Sequence, residues 1–297
     1  MPSDNIRAAL FMLASMAGFV VNDTLVKLST ADIPAAEIMA LRGMAASLLL
    51  LVIAWRFNAL RPPRLALKPQ MMLRTGTDVM ATLTYITALG HMPIANASAV
   101  FQALPLVITL AAALVFKEPV GWRRWSALGV GFVGVLIIVR PGTDGFNAYS
   151  LAVLGSVGFS AVRDLTTRRM DRAVPSLFIS LTTAISVSVV GWVLLPFSGG
   201  WQPVPAPVLG YLGGAALAIA GGYICIVQAM RVGDPGFVAP FRYSILLYAL
   251  VMGLVVFGDL PSAATLFGSA IVVASGAYTL YRERIRGVPK VAKAQVH

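Results

Sequence analysis

The stretch 94–117, IANASAVFQALPLVITLAAALVFK, decides the fold class, because its only charged residue is the last one, Lys117. The hydrocarbon core of a bilayer is about 30 Å thick, and roughly 20 mostly apolar residues cross it as a helix. This stretch is therefore long enough and apolar enough to span a membrane. Together with nine similar stretches it predicts ten spanning helices, at about 6–29, 35–57, 71–90, 94–117, 122–140, 148–170, 175–197, 207–231, 236–257 and 262–281.

The composition supports a membrane protein. Only 12% of the 297 residues are charged and 58% are hydrophobic, whereas a soluble domain has about 25% charged residues. A net charge of +11 would suggest nucleic acid in a soluble protein. Here the Lys and Arg residues lie mostly in short loops between apolar segments, where they act as topology signals. We expect membrane lipid and a small-molecule substrate as partners, no nucleic acid, and a chain that can act as a monomer.

Cysteine and histidine are too few for a metal or haem site. The sequence has one cysteine, Cys225, and two histidines, His91 and His297. We therefore expect no metal, no cofactor and no disulfide bond. The charged residues are scattered over both predicted faces of the membrane, which disfavours an enzyme, and no Walker-type phosphate loop is present. A membrane enzyme and a passive channel remain as rival classes.

Basic residues mark one face of the predicted membrane. Most of them are in the loops on this face: Arg56, Arg61, Arg64, Lys68, Arg74, Lys117, Arg123, Arg124, Arg168, Arg169, Arg172 and the tail from Arg282 to Lys293. The opposite loops are nearly bare, with Arg140 as the main exception. Because cytoplasmic loops carry the excess of Lys and Arg, we expect a protein of the bacterial inner membrane with both termini in the cytoplasm.

The chain also contains an internal repeat. A shift of about 141 residues places Asp23 on Asp164 and Lys27 on Arg168, and the predicted helix boundaries then match as well. The two units are 1–145 and 146–284, followed by a basic cytoplasmic tail at 285–297. Each unit has five helices, and because five is odd the units enter the membrane from opposite sides. Inverted repeats build transporters whose substrate site lies near the midplane, between the halves.

Several motifs carry a family resemblance. AVFQALPLV at 99–107 leads through an apolar helix to FKEP at 116–119, and GVGFVGVL at 129–136 leads to RPG at 140–142. This pattern resembles the EamA-type repeat of the drug/metabolite transporter superfamily. The second copy departs from it at Asp259, where Glu is usual, and at Ile245, which stands in the place of Pro105.

The resemblance implies an all-α integral membrane protein, with ten helices in two inverted five-helix repeats around a central cavity. It further implies alternating access and, in the amino-acid exporter branch, export of amino acids including aromatic ones. Import and the transport of sugars, nucleotide sugars or phosphates remain as alternatives within the superfamily.

Charged residues inside the spans are candidates for gates, because ionisable groups there are costly and face the protein interior. An acid four residues before a base is a favourable helical pair, as at Asp23–Lys27 and Asp164–Arg168. We expect an outer gate of Asn22, Asp23, Lys27 and Arg42. We expect an inner gate of Asp78, Arg163, Asp164 and Arg242, with Arg168 beside Asp164. As an alternative for Lys27 and Arg168, both could simply extend to the headgroups.

Polar and aromatic residues within the spans are candidates for the substrate cavity, since such sites are largely apolar with a few polar anchors. They are Asp78, Tyr85, Phe101, Gln102, Tyr223, Gln228, Arg242, Tyr243 and Tyr248. Pro105 is a candidate hinge, because proline frees backbone groups in its helix. The alternative is that these aromatic side chains pack between helices or lie at the membrane interface.

Overall fold

The structure is a computed structural model that describes residues 2–115, 121–141, 147–171, 173–233 and 235–286. Within these ranges the chain is all-helical, without strands. The α-helices are α1 (Pro2–Ser29), α2 (Ala35–Arg56), α3 (Pro69–Leu89), α4 (Ile94–Phe101), α5 (Leu104–Val115), α6 (Trp122–Val139), α7 (Tyr149–Arg169), α8 (Ser176–Leu194), α9 (Ala206–Val232), α10 (Pro235–Val238), α11 (Ser244–Phe257) and α12 (Ala263–Arg286). The FKEP motif, Gly142, Arg172 and residues 287–297 of the predicted tail lie outside the described residues.

All ten predicted segments are helical, but two of them are not continuous. The predicted segment 94–117 is a candidate membrane-spanning stretch over its described residues 94–115, with a break at Gln102–Ala103 between α4 and α5. Pro105 has no N–H to donate to the carbonyl of Phe101, and the Ala103 N–H bonds to Val100, only three residues back. The segment 236–257 is likewise divided into α10, a 3₁₀-helix at Ala239–Tyr243 and α11.

Length and composition allow six of the described helical stretches to cross a membrane: 4–29, 35–56, 94–115, 176–198, 206–230 and 240–257. Two shorter apolar helices cover 125–139 and 263–279. Large apolar side chains lie exposed on the outside of the bundle, among them Leu48, Val52, Leu217 and Val255. Exposed apolar surface of this kind is costly in water and favourable in lipid, so the fold is that of a multi-helix membrane protein.

The helices pair across the two halves of the chain. The most extensive contacts are α1 with α9, α3 with α7, α2 with α8, and α6 with α12. Two buried hydrogen bonds have matching positions: the Ser15 hydroxyl donates to the Gly222 carbonyl and the Ser156 hydroxyl to the Ala81 carbonyl, both at 2.8 Å. The two serines are 141 positions apart, and so are the two acceptors. The helix pairs α1–α9 and α7–α3 therefore have equivalent packing.

Gly191 lets α8 lie directly against α2. A methyl group at this position would meet the Ala36 carbonyl oxygen at 2.7 Å and would also press on the Ala40 amide nitrogen. Small residues allow this close approach between membrane helices, and overpacking costs about 1–3 kcal/mol. We expect Gly191→Ala to lower the melting temperature of the detergent-solubilised protein. Gly210→Ala is the matched control, since its methyl group would meet no atom within 4 Å. Equal melting temperatures for the two variants would contradict this account of the α2–α8 contact.

Candidate functional site

Three helices meet at a polar cluster that we call the Asp23 cluster: Asn22, Asp23, Arg42 and Tyr85. The Asn22 side-chain amide donates to Asp23 Oδ1 at 2.9 Å and accepts from Arg42 Nη1 at 3.0 Å. The Tyr85 hydroxyl donates to Asp23 Oδ2 at 2.9 Å. The cluster thus joins α1, α2 and α3, and it contains three of the four residues predicted for the outer gate.

The Tyr85 ring extends this cluster towards the break between α4 and α5. It meets the Phe101 ring edge to face, with 5.3 Å between the centroids. Gln102 is half-buried beside Phe101, at the break itself. Two predicted cavity residues, Tyr85 and Phe101, are therefore in contact.

Lys27 does not join the Asp23 cluster. Its Nζ donates to the carbonyl oxygens of Met92 at 2.6 Å and Leu89 at 3.3 Å, and lies 5.1 Å from the centroid of the Phe257 ring. These hydrogen bonds connect α1 to the link between α3 and α4. Lys27 therefore bonds to backbone carbonyl oxygens and not, as the sequence had suggested, to Asp23. We call this region of the bundle the Lys27 end.

A second cluster joins α3, α7 and α8, and we call it the Asp78 cluster. Arg163 Nη1 bonds to Asp78 Oδ1 at 2.8 Å and Arg163 Nε to Asp164 Oδ1 at 2.7 Å. Arg74 Nη1 lies 3.5 Å from Asp78 Oδ2. The other bonds of Arg74 go to the hydroxyls of Thr167 and Thr183.

Arg74 is a residue of this cluster that sequence reasoning missed. Arg74 was grouped with the basic residues that mark one membrane face, although it lies inside the predicted helix 71–90, as it does in α3. Its position four residues before Asp78 was the available signal, because residues four apart share one face of a helix.

Within the described residues, Arg242 makes no ion pair with the Asp78 cluster, and its place in the inner gate stays a prediction. Arg242 is exposed, whereas the next residue, Tyr243, is 8% exposed and packs against Gly276. Both residues belong to the 3₁₀-helix Ala239–Tyr243, which turns by three residues rather than 3.6. Arg168 and Gln228 are also exposed, and Tyr248 packs half-buried between two apolar clusters.

Tyr223 lies between the two polar clusters. Its side chain is half exposed, and its ring meets Phe19 edge to face at 5.4 Å. Its hydroxyl is close enough to interact electrostatically with Arg42 of the first cluster and with the arginines and Asp78 of the second. Arg42 also interacts with Asp78. The two clusters therefore lie within electrostatic range of each other, with Tyr223 between them.

Taken together, the two clusters are balanced in charge. They contain three arginines and three aspartates: Arg42, Arg74, Arg163, Asp23, Asp78 and Asp164. Within the described ranges no three His, Cys, Asp or Glu side chains come together as a metal site. The arrangement can hold a small solute by ion pairs and ring contacts.

The two ends of the bundle differ. At the Lys27 end, α1 contacts both α3 and α4. A shift of 141 residues places α1, α3 and α4 on α7, α9 and the segment formed by α10 and its 3₁₀-helix, and the described residues of α7 make no comparable contact with α9 or with that segment. The contacts of α1 at the Lys27 end thus have no equivalent of similar extent among the described residues of α7.

A bundle with apolar side chains on its outside and charge-balanced polar clusters between its helices is typical of the class of membrane transporters. Residues 6–140 match the EamA-like transporter family. The chain is 31% identical over 210 residues to a riboflavin transporter of Vibrio cholerae, covering 70% of each chain. The chain belongs to the EamA-like transporter family, within the drug/metabolite transporter superfamily.

Other relatives match over nearly the whole length. The chain is 26% identical to an S-adenosylmethionine uptake transporter of Rickettsia prowazekii, over 92% of each chain. It is 25% identical to the pseudopaline exporter CntI of Pseudomonas aeruginosa, over 88% of this chain and 92% of that one. A solved crystal structure has the same fold, with a TM-score of 0.60 at 20% identity over 92% of this chain and 99% of its own.

Proposed function

We propose that this protein is a secondary transporter that moves small zwitterionic metabolites, first of all amino acids and including aromatic ones, out of the cell by alternating access. The charge balance between the Asp23 and Asp78 clusters is the observation that carries this proposal. A zwitterion brings one charge of each sign and leaves the balance unchanged. The rings of Tyr85, Phe101 and Tyr223 add apolar and aromatic surface for a side chain.

We also propose that 1–145 and 146–284 are two inverted repeats. The end of the bundle that holds Arg74 and the rest of the Asp78 cluster would face the cytoplasm. The matched bonds of Ser15 and Ser156 support the repeat, and the basic loops support the orientation. The Lys27 end, where α1 contacts α3 and α4, then faces outwards. The Asp23 and Asp78 clusters would act as the outer and inner gates, with Pro105 as a hinge between α4 and α5.

Transport of a sugar phosphate is less well supported. A phosphate ester needs several arginines with free positive charge. Arg163 is already paired with Asp78 and Asp164, and Arg74 with Asp78. Arg42 alone does not give the two clusters a net positive charge.

Uptake of a larger ring-bearing metabolite is the second candidate. It is favoured by the riboflavin transporter and the S-adenosylmethionine uptake transporter among the relatives, while another relative is an exporter. The aromatic surface that suits an aromatic amino acid also suits a larger ring system.

Flux into proteoliposomes tests the proposal. Purified protein is reconstituted and offered labelled amino acids, S-adenosylmethionine and riboflavin, with and without a pH gradient. We expect saturable flux of at least one amino acid. Saturable flux of riboflavin alone would overturn the zwitterion proposal in favour of the second candidate, and flux that rises linearly without saturation would indicate a channel.

A further inference from the structure

The side chain of Asn22 stands between Arg42 and Asp23. Its oxygen accepts from the guanidinium and its nitrogen donates to the carboxylate. Asn22 is 4% exposed, so this position is inside the protein. The arginine and the aspartate make no direct ion pair, and a neutral amide connects them.

A side-chain amide and an α-amino acid present the same sequence of polar groups. The amide has an acceptor oxygen and a donor nitrogen separated by two bonds. In an α-amino acid, a carboxylate oxygen and the ammonium nitrogen are separated by three bonds. The zwitterion therefore fits the same two partners, and its full charges make stronger hydrogen bonds than the amide does.

Arg42 and Asp23 can each make a stronger interaction than the hydrogen bond they make with Asn22. Arg42 Nε is buried and has no hydrogen-bond partner within the described residues, although a guanidinium can hold a carboxylate through two parallel bonds. Tyr85 fixes the second oxygen of Asp23, which leaves Oδ1 directed at Asn22. Arg42 thus has an N–H donor at Nε that is free to bind a carboxylate, and the carboxylate of Asp23 is held in one orientation by Tyr85.

We propose that Arg42 binds the carboxylate and Asp23 the ammonium group of a zwitterionic substrate, and that Asn22 is an internal competitor for this site. The inference rests on the proposed function and names the groups that recognise the substrate. Substrate binding displaces the Asn22 amide, which breaks the Asn22–Arg42 bond between α1 and α2. Binding is thereby coupled to a change at the contact between these helices.

Removal of the competitor tests the inference. The probe is the labelled amino acid that the wild type transports best, measured by equilibrium binding to the purified protein. We expect Asn22→Ala to lower the Kd about tenfold and Asn22→Asp to raise it at least tenfold, because an aspartate at this position pairs with Arg42 and repels the substrate carboxylate. Thr24→Val is the matched control, since Thr24 is buried on α1 and bonds only within its own helix.

Derivatives of the amino acid with one charged group blocked show which charged groups the protein recognises. The methyl ester of the same amino acid lacks the carboxylate charge, and the N-acetyl derivative lacks the ammonium group. We expect neither compound to bind more tightly to Asn22→Ala than to the wild type. An unchanged or higher Kd for the amino acid in Asn22→Ala, or an equal gain for the ester, overturns the inference.

The two proposals fail in different experiments. If the wild type transports no amino acid and no S-adenosylmethionine, which also carries an amino-acid group, the proposed function is wrong and this site falls with it. If the wild type transports such a substrate while the Asn22 variants bind it like the wild type, only the assignment of Asn22, Asp23 and Arg42 is wrong.

Discussion

A disulfide bond between positions 30 and 90 is expected to stop transport completely and reversibly. A Cβ atom at Gly90 would lie 3.1 Å from the Cβ atom of Thr30, and disulfide-bonded cysteines have Cβ atoms about 3.5–4.5 Å apart, so a small shift suffices. Thr30 follows α1, Gly90 follows α3, and Lys27 joins the same two regions. Under alternating access this contact must open, and a covalent bond prevents the opening.

The experiment uses Thr30→Cys with Gly90→Cys in a Cys225→Ser background, because Cys225 is the only natural cysteine. Transport is measured after oxidation and again after reduction, with the two single-cysteine variants as controls. We expect the oxidised double variant to be inactive, the reduced one to recover, and the controls to be insensitive to oxidant. Full activity of the cross-linked protein would show that the Lys27 end does not open during transport.

The helices could be predicted from the sequence because their cause is local. The bilayer requires about 20 apolar residues per span, and proline and charged residues mark the ends. The hydropathy of a segment does not show where a break lies inside it. The interruption at Gln102–Ala103 follows from the missing N–H of Pro105, but a proline inside a spanning helix can also be accommodated by a bend.

The candidate site could be predicted only in part, because it depends on the direction of each side chain. Asp78, Arg163 and Asp164 were recognisable as charges inside spans, and the structure brings them together. The partners of Lys27 are backbone carbonyl oxygens, which every residue has and which no sequence pattern distinguishes. The sequence also could not distinguish the exposed Arg242 from the buried Tyr243, because the two are neighbours in one segment predicted as a continuous helix.

Neutralising Asp78 is expected to destabilise the protein and to abolish transport. Asp78 is the shared partner of Arg74 and Arg163, and all three side chains are largely shielded. Asp78→Asn leaves the two arginines with less negative charge inside the bundle. Breaking a buried ion pair by removing one partner costs about 3–5 kcal/mol, and partial solvent access places this case near the lower end. Thermal unfolding in detergent and flux into proteoliposomes measure the two effects.

Two further variants separate the loss of charge balance from the loss of the carboxylate itself. Asp78→Asn combined with Arg163→Gln removes one charge of each sign, so we expect it to recover much of the stability but not the transport.

Asp164→Asn is the milder control, because Asp164 is more exposed and Asp78 still holds Arg163. We expect this variant to fold like the wild type with an altered transport rate. Equal stability of Asp78→Asn and the wild type would mean that Arg74 and Arg163 are solvated and not held by Asp78. The Asp78 cluster would then not hold α3 and α7 together as the proposed inner gate.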